Sequence, residues 1–192
     1  MKTKTLCSTL LYSEEFLTLL RKNPVVLNHV LKCVLPNVSL KISNLISFEE
    51  KKIYPVGESD RSVIIYAEDM NGKPYDIDLV ITDRKNHVMQ ARLHANCLIY
   101  CGRYNEEDNA EVYTIMLTDS NLLGENSNKP VSHIEWICEE TGLVLPDADH
   151  IIYTNGEYED DSTDIGKLIF DFKQTDLKKL KSAVLKEAFH IS

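Results

Sequence analysis

The sequence predicts an α/β domain, and three observations predict it. Apolar residues recur at helical spacing in two segments near the N-terminus, two β-rich runs meet at Asn71-Gly72, and helical patterns return at the C-terminus. At 192 residues the chain is long enough for one such domain with a single sizeable core and short for two. A single domain over 1–192 is therefore expected, with N-terminal helices over 13–35, a core over 42–173 and a C-terminal helix over 175–189.

Each element has its own signal. Ser13-Glu14-Glu15 opens a first helix, the hydroxyl capping free N–H groups and the acids facing the positive end of the helix dipole. Asn23-Pro24 ends it, and Pro24 suits the first position of a second helix carrying Val26, Leu27, Val30, Leu31 and Val34. Residues 42 to 54 alternate loosely and suggest a strand. Ser62 to Asp69 and Tyr75 to Thr82 are β-rich runs, and Asn-Gly between them is a strong short-range hairpin signal. Asp83 to Cys101 reads as a helix stopped by Gly102. Glu111 to Thr118, His133 to Cys138 and His150 to Thr154 read as strands, followed by helices over Ser162 to Phe172 and Thr175 to Phe189.

Charge and cysteine usage narrow the class. The formal net charge is −9, which disfavours a grip on nucleic-acid phosphates, since such binding draws its affinity from basic side chains. Five scattered cysteines and an N-terminal apolar run broken by Ser13-Glu14-Glu15, with no small-residue cleavage site, point to a reduced, cytoplasmic protein. No apolar run approaches the ~20 residues a membrane helix needs.

The ordered motifs carry a resemblance. Arg61-Ser62-Val63, Tyr66-Ala67-Glu68-Asp69, Asn71-Gly72-Lys73 and Tyr75-Asp76-Ile77-Asp78 look like the hairpin of PD-(D/E)XK nuclease-family transposases. Gly102-Arg103-Tyr104 before Val112-Tyr113-Thr114-Ile115, and Asp149-His150 through Asn155-Gly156-Glu157-Tyr158, are similar to that family's later stretches, over roughly residues 14 to 173. The resemblance implies a restriction-endonuclease-like core, a mixed central sheet flanked by helices. It also implies a phage, prophage or transposon origin.

The catalytic positions depart from the family pattern. Two carboxylates there hold a divalent metal, and Mg²⁺ is satisfied by two such oxygens with water and phosphate. In this chain Ile64 or, in the other alignment, Tyr66 stands at the aspartate position, Asp78 stands for the glutamate, and Val80 for the glutamine. Strand alternation puts Asp76, Asp78 and Val80 on one face, and the family register would add Ile64. A lone carboxylate between two apolar groups is a poor Mg²⁺ site. If the chain is active, Asp78, Asp76 and Glu68 are the candidate catalytic residues, with Asp78 the metal ligand. Otherwise Glu68 and Asp69 are an acidic shoulder of the turn and Asp76 a solvated position, and these readings are preferred.

On the following helix only Gln90 and Arg92 match the family, and they are candidate binding residues. The bland alternative for Arg92 is a surface arginine. His94, Cys97 and Cys101 share a helix stripe, for which a buried apolar face is preferred to zinc. The run Glu157-Tyr158-Glu159-Asp160-Asp161 reads as a solvated loop or a partner-facing patch, and Lys173, Lys178, Lys179, Lys181 and Lys186 make the C-terminal helix locally basic. The expectation is a degenerate nuclease fold without a cofactor that binds a protein partner, or a nucleic-acid or nucleotide partner that the charge disfavours, inhibition of a host system being one such role. The alternative is a Mg²⁺-dependent endonuclease or transposase with its site relocated around Asp78. A third reading is a homodimer formed through the hairpin or the terminal helices.

Overall fold

The computed structural model describes residues 6–38, 40–46, 61–82, 86–101, 110–124, 128–144 and 149–191, with side chains omitted for 40–46 and 100–101. The protein is α/β. A six-stranded mixed sheet has the order β1-β2-β3-β4-β6-β5, with β1 Leu40–Ile46, β2 Arg61–Asp69, β3 Pro74–Ile81, β4 Glu111–Leu117, β5 Val131–Ile134 and β6 Asp149–Thr154. β1 and β3 each pair antiparallel with β2, whereas β4 and β6 are parallel. The described helices are α1 Glu14–Lys22, α2 Pro24–Val34, α3 His87–Cys101, α4 Asp164–Phe172 and α5 Ala183–Ala188. No helix among the described residues is long and apolar enough to cross a membrane.

Contacts divide the chain into two compact units. One comprises 1–39, 117–131 and 154–192; the other comprises 40–116 and 132–153. In the helical unit, Ser13 caps α1 by accepting from the Phe16 amide, and Asn23 caps α2 by accepting from Val25 and Val26. Pro24 begins α2, where its missing N–H costs nothing. The buried faces meet at Phe16 and Phe172, whose rings pack edge to face at 5.6 Å.

The C-terminal helix expected over Thr175 to Phe189 is instead broken in two. A 3-10 turn, Leu177–Lys179, and the short α5 are separated by Leu180-Lys181-Ser182. The cause is Asp171 of α4. Its buried carboxylate accepts the amides of Lys181 at 2.6 Å and Ser182 at 2.9 Å, so those N–H groups are withdrawn from a continuous helix. Burial pushes the Asp171 carboxyl up from 3.8 to about 6 despite these two bonds.

Asn155-Gly156 also has a structural reason. The Asn155 amide donates to the Pro130 carbonyl, its side chain donates to Lys129, and Gly156 N–H donates to Ser120. The loop is drawn so close that a Cβ on Gly156 would fall 1.9 Å from the carbonyl carbon of Asp119. The acidic run that follows is partly structural as well. The Asp160 carbonyl lies where a Cβ on Gly166 would fall, and Asp161 pairs with Lys181.

In the sheet unit the strand expected over His133 to Cys138 stops at Ile134. Beyond it the chain makes a small arm, with Ile137 bridged antiparallel to Val144 and the Cys138 amide donating to Leu143 at 2.9 Å. The strand expected over 42 to 54 is described only to Ile46, and it carries an irregularity between Ile42 and Asn44. Residues 47–54, 83–85 and Gly102-Arg103-Tyr104 lie outside the described residues.

Two outcomes are expected. Gly156→Ala should lower unfolding stability by at least about 3 kcal/mol in urea, because backbone rather than a flexible side chain obstructs the methyl group. Asp171 binds its proton more tightly folded than unfolded, so its contribution is complete below about pH 4 and is lost as pH rises through about 6. The stability gap between the native chain and Asp171→Asn should therefore shrink between about pH 4.5 and 7.5. A constant gap across urea melts at those values would contradict the burial argument.

Candidate functional site

The hairpin forms as its sequence dictates. β2 and β3 pair without a break from Arg61↔Ile81 to Glu68↔Pro74. Gly72 takes φ +80°, a conformation L side chains rarely adopt, and the Asp69 carboxylate accepts the amides of Asn71 and Lys73 at 2.7 and 2.9 Å. Asp69 is thus a turn residue. The register sets Ile64 opposite Asp78 and Tyr66 opposite Asp76, so these four share a face with Val80 and Glu68.

That face is closed. Helix α3 lies over it, and Ile64, Tyr66, Leu98 and Val112 form one buried cluster with Ile99 against it. Asp76 and Asp78 are 0% and 1% exposed, so Asp76 is not the solvated alternate position expected of it. Glu68 is half-buried at the turn end of the same face. Four residues separate it from Ile64, on the order of 13 Å along the strand.

Two side-chain bonds tie the strand to the helix. His94 Nδ1 donates to Asp78 Oδ2 at 2.7 Å, with both side chains 1% exposed. Thr82 Oγ1 donates to Gln90 Oε1 at 2.9 Å, also buried. Asp78 and Thr82 are four residues apart on one strand face, and Gln90 and His94 are one helical turn apart. The two bonds therefore form a short ladder between β3 and α3. The Oδ1 atom of Asp78 has no hydrogen-bond partner among the described residues.

The sequence candidates are thus only partly assembled. Asp78 and Asp76 share the covered face, Glu68 is remote along it, and Gln90 is committed to Thr82 in the interior. Arg92 is exposed, and its guanidinium lies 5.2 Å from the Trp136 ring centroid. His94, which the stripe reading leaves apolar and partnerless, is the residue sequence reasoning missed. Its signal was the pairing of two polar side chains, Gln90 and His94, on the helix stripe that also carries Leu98.

The Mg²⁺ site implied by the family pattern does not fit these residues. A hard cation needs several oxygens converging on one point. Here Ile64 and Val80 flank the one carboxylate at that position, and its Oδ2 accepts from an imidazole. Among the described residues no group of three or more His, Cys, Asp or Glu could hold a metal ion.

The opposite sheet face gathers other residues of the ordered motifs. Tyr113 lies 5.9 Å from Tyr75 and stacks on its parallel-register partner His150 at 4.5 Å. Its hydroxyl donates to Glu111 Oε2 at 2.9 Å, and Lys73 pairs with Glu111. Burial, joined by Glu111, pushes the Tyr113 phenol up. Burial works to raise Glu111 too, but the bonds from Lys73 and Tyr113 outweigh it and hold this carboxyl below the usual range. Compared with family models, curated proteins and solved structures, the chain matches none.

The buried pair sets a testable asymmetry. His94→Leu should cost about 3–5 kcal/mol, because it strands Asp78 in the interior without its donor. Joint replacement by Asp78→Leu and His94→Leu should be neutral or stabilising by up to about 4 kcal/mol. A double-mutant cycle by chemical unfolding measures both, and additive single effects would contradict the coupling.

Proposed function

We propose that the protein is a catalytically degenerate PD-(D/E)XK nuclease-like protein of mobile-element origin that acts by binding a protein partner, inhibition of a host system being one such role. The observation that carries this reading is the covered hairpin face. Asp78 is opposed by Ile64, bonded to His94 and sealed under α3. Phosphoryl transfer on DNA requires a metal and a phosphate at that carboxylate together, which demands an open, oxygen-lined cleft. The net charge of −9 further disfavours phosphate contacts.

A second reading is kept by one observation. Asp76 and Asp78 are two buried carboxylates on one strand face, and one oxygen of Asp78 has no hydrogen-bond partner among the described residues. A Mg²⁺-dependent endonuclease built around Asp78, with Asp76 and Glu68, would use that pair once α3 had moved aside. The two readings separate in a plasmid-nicking assay with Mg²⁺ or Mn²⁺, run beside Asp78→Ala. The binding reading expects no metal-dependent nicking above the level of the variant. Nicking by the native chain that vanishes in Asp78→Ala would establish the endonuclease instead.

A further inference from the structure

Most of the apolar surface of the sheet unit is hidden; apart from Met70 at the hairpin turn, its exposed large apolar side chains among the described residues lie on β5, the arm that follows it and α3. Trp136, Ile137, Leu143 and Val144, on the arm that follows β5, are each at least 42% exposed. Val88 and Met89 on α3 are 49% and 63% exposed. The two groups are linked by one contact. Arg92 follows Val88 and Met89 by four and three residues on the helix surface, and its guanidinium lies against the Trp136 ring. Isolated exposed apolar residues need no explanation, but two such groups joined through the Arg92–Trp136 contact mark an interaction surface. Its composition fits such a role: a tryptophan, a flexible methionine and an arginine are typical of binding faces.

The charge around this face identifies the partner's chemistry. From Val131 to Val144 the chain carries Glu135, Glu139 and Glu140, all exposed, with no lysine or arginine. A second copy of the chain docking by two-fold symmetry would put three glutamates from each copy into one interface against a single described arginine, Arg92, and an excess of like charge across an interface is costly. Nucleic acid would bring phosphates to the same acids. A basic segment gains from all of them and from the chain's overall negative field.

We infer that the face formed by the 134–144 arm and the exposed side of α3 docks a basic polypeptide segment through apolar anchors. The apolar side chains cover Trp136, Met89 and Leu143, while lysines or arginines meet the exposed glutamates of the arm, Glu135, Glu139 and Glu140. This inference rests on the protein-binding reading above and supplies that reading with a surface. It is independent of the nuclease assay, since a chain that nicked DNA could still dock a basic segment here.

Fluorescence anisotropy with defined probes tests it. A labelled Leu/Lys amphipathic peptide of about 18 residues is compared with a Leu/Glu peptide of the same apolar spacing and with a single-stranded DNA oligonucleotide. The Leu/Lys peptide should bind at least about tenfold more tightly than either, and raising the salt should weaken it. Trp136→Ser with Leu143→Ser should weaken it by about tenfold or more while circular dichroism stays native. Because apolar removal could disturb the arm, Glu135→Lys with Glu139→Lys serves as a second variant. Both positions are exposed, and the variant should lower affinity for Leu/Lys and raise it for Leu/Glu. Equal binding of both peptides, tighter binding of DNA, or affinity unchanged in both variants would overturn the inference. So would light scattering that shows a dimer abolished by Trp136→Ser.

Discussion

A carboxylate drawn beneath a helix loses its water and must find a donor there, and Asp78 finds His94. Much of the sheet unit's arrangement is tied to that bond. It joins β3 to α3, and with the Thr82–Gln90 bond one helical turn away it fixes both the position of the helix along the strand and its rotation. The apolar cluster of Ile64, Tyr66, Leu98 and Val112 then closes around it. Dispersion and burial supply most of the attraction between such layers, but they are not directional. The polar ladder makes one register of helix on strand better than its neighbours, since any slip would strand a buried carboxylate.

Under the proposed reading, the same arrangement lets a nuclease-like hairpin persist without nuclease chemistry. An open metal site holds its acids apart from the core by water and cation. Here an imidazole meets Asp78, Ile64 stands opposite it, and α3 lies over the strand. Stability and metal access are opposed at this face, because everything that satisfies Asp78 from the protein side also excludes solvent. Exposed apolar side chains lie elsewhere, among them those of the arm beyond β5, which also carries Glu135, Glu139 and Glu140, and those of α3.

Much of the framework was legible in the sequence. Ser13 and Asn23-Pro24 mark their helix boundaries because caps are local chemistry, and Asn71-Gly72 marks the turn because glycine alone takes the required φ at no cost. The sharing of a face by Ile64 and Asp78 also follows from strand alternation and pairing register. The rest depends on residues distant in sequence. Nothing local to Thr175–Phe189 announces that Asp171 will capture the amides of Lys181 and Ser182 and break the helix. Nothing local to His133–Cys138 ends the strand at Ile134. At the site, the departures at Ile64 and Val80 were visible, whereas the solution for Asp78 lay sixteen residues away in His94. Asp76 reads as solvated because alternation reports faces but not what covers them.

Asp78 is bonded to His94 through one oxygen and closed to cations by the cover of α3. Paramagnetic broadening of backbone amide signals during a Mn²⁺ titration tests this directly, since the ion erases signals near wherever it binds. Amides from Asp76 to Val80 and around His94 should broaden no more than those of the exposed acidic run at 157–161. Selective loss of the 76–80 and His94 signals at substoichiometric Mn²⁺ would show an accessible cation site at Asp78 and contradict the account.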